Sequence, residues 1–135
     1  MKFMVVLPLL LLVLSFASHA MAQTCSRSPA LTGKCTAVRG SLGLTHGLGV
    51  TLETDDGQRI LIKAPPDSDA DIPRDVMQHW LYWQSRTGHM DIRITGRFQI
   101  CPLPTRANSA GITDFACINS GSHIAADKSP PDVSN

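Results

Sequence analysis

The sequence predicts a small, mainly-β domain, a five-stranded Greek-key barrel with one helix between strands 3 and 4. Three observations carry that expectation. Asp91 to Cys101 (DIRITGRFQIC) alternates strictly, with Ile92, Ile94, Phe98 and Ile100 on one face, Gly96 in line with them, and Asp91, Arg93, Thr95, Arg97 and Gln99 on the other. That is the period of a strand with one face in a core. Asp55-Asp56-Gly57 sets Asp-Gly between two further alternating runs, a strong hairpin signal because glycine accepts the positive φ of a tight turn. Between the hairpin and the long strand the period changes to helical, with Val76, Trp80 and Trp83 at i, i+4 and i+7.

The chain opens with a secretory signal rather than with the fold. Lys2 is followed by an apolar run from Phe3 to Phe16, and Ser18-His19-Ala20-Met21-Ala22 has small residues at signal-peptidase spacing. Residues 1–22 are therefore expected to be removed. The apolar core is short for a bilayer span of about twenty residues, so no stable membrane anchor is expected after cleavage. Of 135 residues about 113 remain, enough for a single core. The exported part carries eleven Lys+Arg and eleven Asp+Glu. Nucleic-acid binders draw affinity from a basic excess over the phosphates, so nucleic acid is not an expected partner.

The elements follow in order. Residues 23–33 (QTCSRSPALTG) show no periodicity and form an irregular lead-in tied down by Cys25. Lys34 to Leu44 is the first strand, with Val38, Leu42 and Leu44 on one face beside Gly40. Its V-x-G-x-L pattern echoes I-T-G-R-F in the long strand, and matching bends are expected at the two glycines. Thr45-His46-Gly47 turns the chain. Gly47 to Thr54 is the second strand, with Leu48, Val50 and Leu52 inward and Thr51 and Glu53 outward. Gln58 to Lys63 returns as the third. Ala64 to Asp71 is a loop by its prolines and acids. Pro73 then suits a first helical turn, with Asp71 near the cap, Asp75 inside the turn and Thr87-Gly88 as the stop. The long strand is the fourth, Pro102 to Gly111 is an exposed loop, and Ile112 to Ile118 is the fifth strand. The barrel domain is placed at 34–124, and the polar, Pro-rich segment 125–135 is expected to be a disordered tail.

This order of elements is that of an OB-like barrel. The stretches V-R-G-S-L, L-x-T-D-D-G and I-T-G-R-F-x-I-C resemble short motifs of small exported OB-like domains of bacteria, over Lys34 to Ile118. The resemblance implies a fold and no ligand, since such folds host unrelated functions. It also bears on the four cysteines, Cys25, Cys35, Cys101 and Cys117, which in an exported chain read as two disulfides. In such a barrel the first strand runs beside the fourth, which favours Cys35–Cys101 with Cys25–Cys117. The local pairing, Cys25–Cys35 with Cys101–Cys117, stays open. A bridge closing a loop of about fifteen residues is worth roughly 3 kcal/mol in the chain-entropy model.

Few residues suggest chemistry. Asp67, Asp69 and Asp71 alternate before the helix, but the calcium-loop pattern also needs a glycine at its turn and a later bidentate acid. Neither is present, and the acids read as a solvated loop. His46, His79, His89 and His123 make no H-x-H or i, i+4 ligand pair, and no C-x-x-C motif occurs. No G-x-S-x-G turn is present, and oxidised cysteines offer no thiolate. Neither a metal, nor a cofactor, nor an enzymatic activity is expected.

Trp80 and Trp83 read as a plug at one end of the barrel, leaving Tyr82 as the exposed ring. Arg93 and Arg97, with Arg39 on the neighbouring strand, form a candidate patch for an anion or a partner. His46 and Arg106 mark the two loops where OB-type domains commonly meet ligands. The expected function is a non-enzymatic periplasmic or secreted binding module for an envelope protein, a glycan or a small ligand. The alternative is an inhibitor or immunity protein that blocks an exported enzyme through the 102–111 loop.

Overall fold

The computed structural model describes residues 24–66, 68, 72–105 and 111–127. The expected signal segment (1–22), Asp67, Asp69, Asp71, Arg106 and residues 128–135 lie outside the described residues. A single 3-10 turn, Cys25–Arg27, precedes strands β1 (Thr36–Thr45), β2 (Gly49–Thr54) and β3 (Arg59–Ile62). Helix α1 (Arg74–Thr87) follows, then β4 (Ile94–Leu103) and β5 (Asp114–Ala126). The strands close into a barrel in the order β1-β2-β3-β5-β4, with β4 returning to β1. The β3–β5 pair is parallel and the other four are antiparallel. This is the five-stranded Greek-key barrel expected from the order of elements, with its helix between β3 and β4.

Closure depends on β1 serving two neighbours. Residues Thr36 to Leu42 pair with β4, and Gly40 to Thr45 pair with β2. Where the two ladders overlap, Gly40 faces Gly96 on one side and Thr54 on the other. A Cβ on Gly40 would lie 2.4 Å from the Glu53 carbonyl oxygen, and one on Gly96 would lie 3.0 Å from that of Ser122. The matching glycines are thus register partners at one corner, where the backbones approach too closely for a side chain.

The barrel is filled by Leu42, Leu52, Ile60, Ile62, Ile94, Phe98, Ile100, Ala116 and Ile118. Val76 and Trp80 of α1 join them, with Trp83 partly buried against the cluster. The Trp80 indole N–H donates to the Ile92 carbonyl at 3.0 Å, so burial of the ring leaves no polar group unpaired. Trp80 and Trp83 therefore plug the barrel as their spacing indicated. The helix ends at Gly88, whose N–H bonds the Gln84 carbonyl. Pro73 occupies the N-cap position rather than the first turn, and its carbonyl accepts from the Met77 N–H.

The structure moves several boundaries. The alternation from Asp91 is not strand until Ile94, because the Trp80 and Gln84 side chains take the Ile92 and Met90 carbonyls. β5 begins at Asp114 and runs on to Ala126, beyond the expected end at Ile118. Ala125 and Ala126, expected to start the tail, pair with Thr95 and Ile94, and the Asp127 N–H bonds the Arg93 carbonyl. The polar stretch Asn119 to His123 lacks alternation because the strand takes up extra residues there. Register shifts fall between Thr95 and Arg97 and between Gln99 and Ile100. Both place the surplus residue on β5, as in β-bulges.

The lead-in packs more than its composition suggested. Ala30 and Leu31 lie against a second buried cluster of Cys25, Cys101, Leu103 and Cys117, on the outer face of β4 and β5. The Ser26 N–H donates to Asn119 Oδ1, and the Thr32 N–H to the Pro102 carbonyl. The disulfides are Cys25–Cys117 and Cys35–Cys101. Their sequence separations of 92 and 66 residues make each a long-range constraint. In the chain-entropy model each contributes on the order of 4 kcal/mol.

Gly40→Ala is expected to destabilise the fold by roughly 3 kcal/mol, since its methyl would meet backbone rather than a movable side chain. Urea unfolding of the disulfide-intact protein measures this. An unchanged midpoint would contradict the role assigned to the close approach.

Candidate functional site

The outer face of β1, β2, β4 and β5 carries the polar residues left over when the alternating positions fill the core. Two shallow grooves run across it. One, of about 360 Å³, is bordered by Arg39, Ser41, Glu53, Thr95, His123 and Asp127 among others. The other, of about 270 Å³, is bordered by Ala37, Arg97, Gln99, Ser120, Gly121 and Ser122. Arg39 and Arg97 face each other as register partners of β1 and β4. Both are exposed. Arg39 approaches Asp55 at 4.0 Å, with both side chains about three-quarters exposed, so that contact is screened by solvent. Among the described residues no acidic group forms an ion pair with Arg97. Like charges directly across a ladder are unfavourable; the pair sits between the larger groove, which also carries Glu53, Asp55 and Asp127, and the smaller one, whose lining holds no acid.

Alternation groups Arg93 with these two, and the structure separates it from them. It precedes β4, and its side chain lies flat over Gly43. A Cβ there would be 2.6 Å from Arg93 Cγ. Its Nε donates to Ser41 Oγ at 2.9 Å, and its Nη2 donates to the Ser41 and Thr51 carbonyls at 2.6 and 3.2 Å. Ser41 in turn donates to Asp127 Oδ2 at 2.9 Å. Burial pushes the Arg93 guanidinium below its ordinary pKa, while the nearby Glu53 and Asp127 charges act the other way. A guanidinium keeps its proton even so. Arg93 thus works as a clamp holding β1, β2 and the end of β5 together, and it covers Thr51, which points outward yet is fully buried.

His123 is the non-glycine residue with positive φ (53°) among the described residues. It stands at the β5 bulge opposite Gly96 and borders the larger groove. Histidine is among the residues that tolerate this region. Sequence reasoning missed His123, Ser41, Ser122 and Asp127. Ser41 and Asp127 are 86 positions apart, and only the closure of the barrel brings them together.

The other expected site residues are scattered. Tyr82 is half exposed on α1, edge-on to Trp83, with the Arg86 guanidinium carbon 5.8 Å from its ring centre. It borders neither groove. His46 is exposed in the β1–β2 turn, and Arg106 lies outside the described residues. The sulfurs of Cys25, Cys101 and Cys117 lie within 4.8 Å of one another. All are held in disulfides, and a disulfide sulfur is not the thiolate that ligates a metal. Comparison with family models, curated proteins and solved structures finds no match to this chain.

Arg93→Ala is expected to cost roughly 2–3 kcal/mol, because it removes charge-assisted bonds and leaves carbonyl acceptors short of partners. Arg93→Lys should recover part of that loss, since a single ammonium cannot reproduce the fork. Denaturant titration reads both, and equal midpoints for wild type and Arg93→Ala would refute the clamp. His123→Gly should raise stability by up to about 1 kcal/mol by relieving the positive-φ cost at a non-glycine residue.

Proposed function

We propose that this chain is an exported, non-enzymatic binding module whose Arg39–Arg97 face takes an anionic group of an envelope ligand, a carboxylate or a phosphate. The observation that carries this reading is the register pairing of two exposed arginines between two polar grooves. Guanidinium groups recognise such anions through paired N–H donors. Ser122 and His123 lie on the adjoining strand and offer further polar contacts.

The two disulfides fit an oxidising environment outside the cytoplasm. Among the described residues no helix is long and apolar enough to cross a membrane. A periplasmic or secreted location, reached through cleavage of residues 1–22, is part of the proposal. The inhibitor reading depends on the 102–111 loop, of which residues 106–110 lie outside the described residues.

Arg97→Glu separates function from stability. It creates an opposite-charge pair with Arg39, so the fold should be unchanged or more stable by about 0.2–1 kcal/mol. Binding of an anion should be lost. Titrating inorganic phosphate and an oligouronate into labelled protein, followed by NMR of the arginine Nε–H signals, checks this. Shifts at Arg39 and Arg97 in the wild type, with the Arg39 shift lost in Arg97→Glu, are expected. Absent shifts, or shifts that survive the substitution, would overturn the proposal.

A further inference from the structure

The four cysteines are arranged in a way that neither disulfide alone requires. Cys101 and Cys117 are register partners on β4 and β5, although each is bonded to a different cysteine. Cys117 Sγ lies 3.7 Å from the Cys101 carbonyl oxygen, a plain contact because the oxidised sulfur carries no proton. The sulfurs of Cys25, Cys101 and Cys117 fall within 4.8 Å of one another. Access to the two bridges is unequal. Cys101 and Cys117 are essentially fully buried and Cys25 is nearly so, while Cys35 is only partly covered. An external thiol therefore meets the Cys35 sulfur first.

We propose that the two disulfides form an exchange relay that converts reduction at Cys35 into release of Cys25. A dithiol reductant of the thiol–disulfide oxidoreductase class attacks Cys35 Sγ, and the Cys35–Cys101 bond breaks with its electron pair leaving on Cys101. The Cys101 thiolate attacks Cys117 Sγ. A Cys101–Cys117 bond forms, and the Cys25–Cys117 bond breaks with its electron pair on Cys25. The second thiol of the reductant resolves the mixed disulfide at Cys35. In sum the reductant becomes a disulfide, its two protons end on Cys25 and Cys35, and the protein keeps one bridge. Exchange by thiolate attack through a mixed disulfide is the general course of this chemistry.

The geometry favours Cys117 over Cys25 as the sulfur attacked. Register partners on antiparallel strands have Cα atoms about 4.5–5.5 Å apart, inside the usual disulfide range, so the new bond staples strands that are already paired. The leaving residue belongs to the short 3-10 turn, held to the barrel by few contacts besides its disulfide, among them the Ser26 to Asn119 bond. Loss of the Cys25 bond frees residues 24–33 from the outer face of β4 and β5 and uncovers the second buried cluster, while the first core stays closed.

The test is partial reduction of the mature protein with one equivalent of dithiothreitol, trapping with N-ethylmaleimide, and tryptic mapping. Cleavage after Arg27, Lys34, Arg97 and Arg106 puts each cysteine on its own peptide. In molecules retaining one bridge, the relay requires loss of both native linked peptides, appearance of a Cys101–Cys117 peptide, and maleimide on Cys25 and Cys35. A surviving Cys25–Cys117 bridge with maleimide on Cys35 and Cys101 would overturn it. So would a Cys25–Cys101 bridge, or loss of both bridges without any one-bridge species. Cys35→Ser gives a second reading that needs no reductant. Its three remaining cysteines should yield Cys101–Cys117 with free Cys25, and Cys25–Cys117 with free Cys101 would refute the relay.

Discussion

The structure depends on the place where β1 leaves one neighbour and takes up another. A five-stranded sheet closes only if some strand is shared across the seam, and sharing brings three backbones within contact distance at one corner. Gly40, Gly96 and the β2 residues Glu53 and Thr54 meet there, with no room for a Cβ on the first of them. The inward faces of Leu42, Leu52, Ile94 and Phe98 can share one core because that corner is tight. Each strand alone is short and half-apolar, and none would be stable outside the closed sheet.

The outer face shows how a small barrel holds itself closed with polar groups as well as apolar ones. Arg93 crosses over Gly43 to carbonyls on two strands, and Ser41 passes the connection on to Asp127 at the end of β5. Charged groups with several hydrogen bonds can be partly buried at little net cost. This leaves a division of labour among arginines that look alike in the sequence. Arg93 is spent on structure, while Arg39 and Arg97 remain in solvent.

The far end of β4 and β5 is held differently. There the outer face is apolar, lined by cystines, and covered by ten residues with little regular structure. A short segment of this kind cannot fold on its own and stays in place through its disulfide and a few hydrogen bonds. The same dependence gives sulfur chemistry at that end a conformational consequence. The lining of the two polar grooves shares no residue with this cluster.

Much of the architecture was legible along the chain because it is local or periodic. Alternation located the four strands from β1 to β4, the Asp-Gly turn located the second hairpin, and the i, i+4, i+7 spacing of Val76, Trp80 and Trp83 identified the plug. The echo of two glycine motifs, read as matching bends, proved to be a direct pairing. The extent of β5 was not legible, since Asn119 to His123 is held in a strand by pairing with β4 and bulges break its alternation. The separate fate of Arg93 was not legible either, because alternation assigns a face and says nothing of which acceptors a long side chain reaches. The sequence by itself determined which residues could be strand, helix and core, since those depend on neighbours a few positions away. Only the tertiary structure decided which cysteine sulfurs adjoin and which arginines stay in solvent, because closure of the barrel sets residues dozens of positions apart within a few ångströms.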